Sequence, residues 1–251
     1  MTTRIENGWS IRYAFFDFAG TLVDGVPNWE FPQILACREL GIQVTPAQVK
    51  SAIWHVWGPL EGCRHPEASA SEASYQRWIA AIERRILEGL GVPGTQLEHA
   101  AGRVMDLQVS PECYRVFPDV PDALTRLRGA GYRLGLISNF AWRLSDLVEK
   151  LGLGELLDLV VTSARVGYRK PRPEIFAQAL AQLGAEPAES LFVGDDPVCD
   201  WDGARAAGLT PLLLDRRQRT SLKSGRIRTL QRLPGLLMGT KGAIIGQAKG
   251  G

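Results

Sequence analysis

Four polar clusters sit at or just beyond short apolar runs that read as strands. They are Asp17 after 11–16, Ser138-Asn139 after 132–137, Lys170 in 167–176, and Asp195-Asp196 after 191–193. Together these residue types suit transfer of an anionic group. A carboxylate leaving a strand is a nucleophile or a metal ligand. A serine hydroxyl and an asparagine amide offer hydrogen bonds to an anionic oxygen. Lys170 brings a compact positive charge, and Asp195 with its neighbours brings hard oxygen ligands of the kind Mg²⁺ prefers. Charge neutralisation and placement carry most of phosphoryl-transfer catalysis. Each cluster taken alone has a plainer explanation: a strand-ending Asp caps a turn, Ser-Asn is turn chemistry, and a Lys before Pro is a surface residue. Their order along the chain is what makes a common site the better reading.

The elements that must position them follow from hydrophobic periodicity and from Gly and Pro punctuation. Residues 11–16 form a buried strand. From about 27 to 112 helical patterns dominate: 31–40 stopped by Gly41, a helix opened by Thr45-Pro46, a long one over 71–90, and another reaching about 107. Beyond Phe117 the pattern alternates, with helices at 119–129, 143–151, 173–183 and 201–207 and strands at 132–137, 157–161, 191–193 and 212–214. Such alternation implies a parallel sheet covered on both faces, and ligands bind at the carboxyl edge of such sheets. The expected fold is α/β, a Rossmann-like parallel-sheet core with an inserted all-helical segment. The core spans 1–24 and 113–220, the insert 25–112, and a basic, Gly-rich tail 221–251. The basic run Arg216, Arg217, Arg219, Lys223, Arg226 and Arg228 reads as a solvated tail or last helix.

Composition sets the outer bounds. With 251 residues, 45% hydrophobic and 22% charged, the chain can build a full core. A net charge of +2 gives no reason to expect a nucleic-acid or membrane partner. The N-terminal stretch lacks a signal-peptide pattern, and no run approaches the roughly 20 apolar residues of a membrane span. Cys37, Cys63, Cys113 and Cys199 are widely spaced, which suits reduced thiols and a cytoplasmic home. Cys63-x-His65 lacks the second pair that a zinc site needs.

The four clusters also carry a family resemblance. From Tyr13 to Leu214 the sequence resembles the haloacid dehalogenase (HAD) superfamily. The family's DxDGT motif is here Asp17-Phe18-Ala19-Gly20-Thr21; its strand-end Ser or Thr is Ser138; its Lys is Lys170 in a KPxPxIF setting; its GDxxxxD runs from Gly194 through Asp200. The stretches 114–124, 136–140 and 170–176 are especially similar to the haloacid dehalogenase-like hydrolase domain-containing protein 3 branch. The resemblance implies a HAD fold whose helical insert is a cap. It implies a hydrolase acting on a small, phosphorylated substrate, with Asp17 as nucleophile forming an aspartyl-phosphate. Asp17, the Ala19 carbonyl and Asp195 would hold Mg²⁺; Ser138, Asn139 and Lys170 would bind the transferring group. Asp200 would orient Lys170 and the metal shell, with Asp196 nearby.

One departure matters. The family's phosphatases carry a second Asp two residues after the nucleophile, which protonates the leaving group and then activates water. Here that residue is Ala19. Losing a general acid or base costs about 10²- to 10⁴-fold, roughly 3–5 kcal/mol of barrier. Four readings stay open. One is a phosphohydrolase that is slow, favours aryl or acyl phosphates, or borrows Asp24, Glu30 or His55 as its acid. The second is a phosphonatase-like enzyme, whose imine-forming lysine would have to be Lys50. The third is a 2-haloacid dehalogenase, whose halide leaves without a proton. The fourth is a non-catalytic binding or regulatory protein. In the cap, Trp29, Trp54, Trp57 and Trp78 read first as packing, with Trp29 and Trp54 as candidate pocket walls. His55, His65 and His99 read as surface or packing residues.

Overall fold

The structure is a computed structural model and describes residues 3–5, 9–60, 63–217 and 225–238. A small antiparallel pair, β1 (Thr3–Ile5) and β2 (Trp9–Ile11), precedes β3 (Tyr13–Phe16). All four residues of β3 are buried, as an apolar run without alternation predicts for a central parallel strand. The chain then passes through β4 (Val23–Gly25) into four helices: α1 (Phe31–Glu39), α2 (Pro46–Trp57), α3 (Glu72–Gly89) and α4 (Leu97–Gln108). It returns along β5 (Tyr114–Val116), antiparallel to β4. After this two-stranded neck come α5 (Val120–Gly129), β6 (Arg133–Ser138), α6 (Leu144–Lys150), β7 (Leu159–Thr162), α7 (Ser163–Val166) and α8 (Pro173–Leu183). The remainder is β8 (Ser190–Gly194), α9 (Gly203–Ala206), β9 (Thr210–Leu214), β10 (Arg226–Ile227) and α10 (Arg232–Met238).

Six strands pair in the order β10-β9-β8-β3-β6-β7, all parallel. The chain leaves β3 toward β6 on one side and later returns to β8 on the other. That reversal opens a crevice at the carboxyl end of β3. Side chains alternate across the sheet. Ala14, Phe16, Leu134, Leu136, Leu191 and Val193 join the core that α5, α6 and α10 cover. Tyr13, Phe15, Ile137 and Phe192 join the one beneath α8 and α9. Gly135 has no side chain because a Cβ there would meet the Phe15 ring at 2.6 Å.

The helical segment has a core of its own, with Cys37, Leu87, Val92, Ala101 and Val104 fully or nearly fully buried. Its helices start where the sequence signals them. Thr45 and Gln48 close a reciprocal capping box on α2, and Ser71 accepts from the Ser74 amide at the start of α3. A second apolar cluster joins Val56, Tyr75 and Ile79 of this segment to Ala164 of the α/β part, with Trp57, Trp78 and Trp142 packed against it.

Two regions differ from the sequence expectation. Where a helix was expected from 201, residues 197–202 form a wide π turn before the short α9. The expected tail over 221–251 is, over 225–238, part of the core structure. Ile227 extends the sheet, and Leu233 and Leu237 of α10 are buried against it. Buried acids neutralise the basic residues there: Arg216 pairs with Asp119 at 2.9 Å and Arg226 with Asp215 at 3.0 Å. Arg219, Lys223 and residues 239–251 lie outside the described residues.

Glu83 is enclosed within the helical segment at 1% exposure. It accepts from the Gln33 and Gln108 amides at 3.1 and 2.8 Å. Burial pushes its carboxyl above the usual 4.5, and the two hydrogen bonds oppose this without cancelling it. A raised acid binds its proton more tightly folded than unfolded. Its stabilising contribution is therefore complete below pH 4.5 and is lost as pH rises through the folded value. Glu83→Gln removes the buried charge and adds a donor beside Gln33 Oε1, which is buried without a partner. At pH 8 the variant is expected to melt about 2–4 °C higher, roughly 1 kcal/mol, and the difference should vanish near pH 4. Thermal denaturation across that range checks it.

Candidate active site

Asp17 leaves β3 while its amide still donates to the Val193 carbonyl at 2.9 Å, so its side chain emerges at the sheet edge. The next residues curl back: the Leu22 amide donates to the Phe18 carbonyl at 2.9 Å, and the Gly20 amide to the Val23 carbonyl at 2.8 Å. Gly20 has φ +82°, and a Cβ on it would lie 2.5 Å from Asp195 Oδ2. Only glycine both adopts that backbone without strain and lets the loop cross the Asp195 carboxylate. Ala19 lines the cleft and has no side-chain proton to give.

Lys170 lies at the centre. It is 2% exposed, and its Nζ contacts Asp17 Oδ1 at 2.7 Å and Asp200 Oδ1 at 2.5 Å. Ser138 Oγ, at the end of β6, donates to the same Asp17 Oδ1 at 3.1 Å. Asn139 grips the lysine from behind: its Nδ2 donates to the Lys170 carbonyl at 3.0 Å, and its Oδ1 accepts from the Lys170 amide at 2.7 Å. Asn139 also lines the cleft, as its expected contact with the transferring group requires, while its amide holds the lysine backbone.

The turn after β8 supplies the remaining acids. Asp196 Oδ1 caps the π turn, accepting from the Val198 and Cys199 amides at 2.8 and 2.7 Å. Asp200 Oδ2 accepts from the Asp196 amide at 3.0 Å. Gly194 leaves room for the Asp200 carboxylate, which a Cβ would strike. One carboxylate oxygen from each of Asp17, Asp195 and Asp200 falls within 4.8 Å of the other two.

The electrostatics follow. Burial alone would favour a neutral Lys170, but the charges of Asp17 and Asp200 outweigh it and hold the ammonium above its ordinary range. Burial also raises Asp200, against the pull of Lys170. Asp195 is exposed to the cleft, but its carboxyl is crowded by the protein groups around it. The resulting desolvation, with the negative charges of Asp17 and Asp200, pushes it up to about 8. Three carboxylates therefore share one ammonium, leaving a negative cluster.

The cluster lines a cleft of about 990 Å³, which Asp24, Trp29, Glu30, Lys50, Arg216 and Arg217 also line. Trp29 is thus a pocket wall. Trp54 is not: it is 70% exposed on α2, and neither it nor His55 lines the cleft. Trp57 and Trp78 pack edge to face, and His65 stacks on Trp78 at 4.5 Å.

Two features of the site have no sequence signature. Residues 63–66 run beside the segment carrying Lys170, with an Arg64–Tyr168 bridge and the His65 amide donating to the Gly167 carbonyl at 2.6 Å. Arg216 lies over the Phe117 ring at 3.9 Å and donates to the Thr21 carbonyl at 2.9 Å, bracing the loop after Asp17.

An open parallel sheet with a helical insert after its first core strand, and an acid–lysine cluster at its switch point, is the architecture of a large hydrolase class. The sequence profile of haloacid dehalogenase-like hydrolases matches residues 11–208, and the chain belongs to that family. It is 30% identical over 215 residues to the haloacid dehalogenase-like hydrolase domain-containing protein 3 of Danio rerio, covering 84% of this chain and 89% of that one. The mouse protein of the same name is 38% identical over 140 residues, 55% of this chain and 56% of its own length. The match thus spans little more than half of the mouse relative. A glyceraldehyde 3-phosphate phosphatase of Methanothermobacter thermautotrophicus is 36% identical over 117 residues, 46% of this chain and 52% of that one. Among solved structures, a HAD phosphatase from Thermococcus onnurineus superimposes with TM-score 0.62 at 24% identity, covering 91% of this chain and 98% of that one. A 2-haloacid dehalogenase from Pseudomonas syringae gives 0.65 at 21%, with the same coverages. At such identities the likeness is one of fold.

Removing the central cation should expose how much the site depends on it. Lys170→Ala leaves two carboxylates facing each other in a buried space, and loss of one partner of a buried ion pair costs about 3–5 kcal/mol. Urea denaturation at pH 7 should register a loss of that size; a loss under about 1 kcal/mol would show that water already screens the cluster.

Proposed function

We propose that this chain is a Mg²⁺-dependent phosphohydrolase that acts on a small phosphorylated metabolite through an aspartyl-phosphate on Asp17. The reading rests on one observation: Asp17, Ser138 and Lys170 meet at a single oxygen, with Asp195 and Asp200 beside them. The donor set fits a hard divalent cation, because three crowded carboxylates answer to one ammonium and their oxygens suit Mg²⁺. Asp17, Asp195 and the Ala19 carbonyl would hold it, with Asp200 steadying Lys170. The ion would supply charge neutralisation to the phosphoryl oxygens. The named phosphatase among the relatives points to the same substrate class.

The rest is work for the protein's own groups. Lys170 and Ser138 both hold Asp17 Oδ1, fixing the rotation of the carboxylate. Asp17 attacks phosphorus, the bond from phosphorus to the leaving oxygen breaks, and that oxygen departs with the electron pair. Water then attacks phosphorus of the aspartyl-phosphate, and the Asp17 carboxylate leaves as phosphate is released. The Lys170 ammonium lies where it would neutralise charge in both steps.

Ala19 has no proton to give the departing oxygen. Of the substitutes weighed from sequence, Asp24 is held by Arg217 at 3.0 Å, and His55 is off the cleft. Glu30 lines the cleft but is not placed against Asp17 by any contact among the described residues. Substrates whose leaving group departs without a proton, aryl or acyl phosphates, fit best. Dehalogenation also dispenses with the acid, but without a metal it would leave three carboxylates with the single Lys170 ammonium to answer them. The four cysteines are free thiols, which suits a cytoplasmic home, and no helix among the described residues is long and apolar enough to cross a membrane.

Asp17→Asn is expected to reduce Mg²⁺-dependent release of 4-nitrophenol from its phosphate to background; turnover equal to wild type would remove Asp17 from the chemistry. Ala19→Asp is expected to raise kcat/KM on alkyl phosphates by about 10²-fold or more, with a much smaller gain on aryl phosphates. A uniform gain on both would mean that the leaving-group proton is not what the site lacks.

A further inference from the structure

The charges lining the cleft can be paired off one by one. Lys170 is held by Asp17 and Asp200. Arg216 is bound to Asp119 and Arg217 to Asp24. Asp215 is bound to Arg226, and Asp196 caps its own turn. Asp195 belongs to the carboxylate cluster. Glu30 and Lys50 are left, with neither an ion pair nor a side-chain hydrogen bond among the described residues. Among the described residues, Lys50 is then the cation of the cleft that no carboxylate answers. It stands on α2, in the helical segment, and lines the same cleft as Asp17.

We infer that Lys50 is a specificity residue that recognises a carboxylate on the leaving-group end of the substrate. This rests on the phosphohydrolase reading, which puts the phosphoryl end of the substrate against Asp17 and its leaving group toward the helical segment. A compact ammonium on an exposed stem reaches for an anion as a point charge. Lys50 carries a single positive charge, and Glu30 lines the same cleft, so a monoanion suits the site better than a second phosphate. Imine chemistry calls for a desolvated amine, and Lys50 is exposed; binding of charge is the role its surroundings favour.

The test compares two non-hydrolysable probes that differ by one group, phenylphosphonate and 4-carboxyphenylphosphonate, titrated calorimetrically into the full chain with Mg²⁺. Wild type is expected to bind the carboxylated probe ~5- to 30-fold more tightly, the range of a charge-assisted hydrogen bond in a partly screened cleft. Lys50→Ala should abolish that preference while leaving phenylphosphonate affinity unchanged. Lys50→Arg should retain most of it, and Lys50→Glu should reverse it. Equal affinity of wild type for the two probes, or a preference that survives Lys50→Ala, overturns the assignment. Turnover of phenyl phosphate by wild type is followed separately. Its absence would count against the phosphohydrolase reading, while the binding comparison would still decide the role of Lys50.

Discussion

The ammonium of Lys170, closed off from water between two carboxylates, is the constraint on which the rest of the site depends. A buried lysine without counter-charges would give up its proton, and two buried carboxylates without a cation would repel each other. Asp17 comes from the end of β3, Asp200 from the π turn after β8, and Lys170 from the loop between α7 and α8. Each needs the others in place. The Asn139 amide, which reads both the carbonyl and the amide of Lys170, fixes the lysine backbone to the end of β6. One ion-pair network therefore ties together all the strand ends that flank the crevice.

Around that network the small residues matter as much as the charged ones. Gly20 lets the loop after Asp17 pass over Asp195, and Gly194 makes room for Asp200. Ala19 lines the cleft without a titratable group, which under the proposed chemistry favours leaving groups that need no proton. The loop also has an outer brace: Arg216 spans the Phe117 ring, Asp119 and the Thr21 carbonyl. Through Asp119, which also accepts from Thr229 and the Leu230 amide, the brace reaches the C-terminal segment. Residues beyond the last of the core motifs thus help to hold the loop after Asp17.

The helical segment touches the α/β part at two places with different physics. Its neck, β4 and β5, is a short hydrogen-bonded ribbon beside the cleft. Its far side is docked through Tyr75, Trp78 and Ala164, and through backbone pairing of 63–66 with 167–169. Gly167 is part of that contact, since a Cβ on it would lie 2.6 Å from Pro66 Cα. The segment that supplies the cleft's outer wall is therefore fastened directly to the loop that carries Lys170.

Much of this was legible in the residues. Unbroken apolar runs such as 13–16 and 191–193 report burial on both faces, and turn residues mark strand ends. Asp17, Ser138, Lys170 and Asp195 were legible for that reason, because a parallel α/β chain has few ways to arrange its strand ends except along one edge. Thr45, Pro46 and the glycines after α1 and α3 located helices by local capping chemistry, which needs no tertiary context. What the sequence left open depends on distant partners. Asn139 reads as a substrate ligand, and its hold on the Lys170 backbone is visible only once the fold brings the two together. The basic stretch after Asp215 reads as solvated until Asp119 and Asp215 meet its arginines. Trp29 and Trp54 are alike as sequence, and only the packing of α1 and α2 put one in the cleft wall and the other in solvent. Strand and helix are set by neighbours a few residues away, whereas the use of a polar side chain is set by whichever group the fold brings within about 3 Å of it.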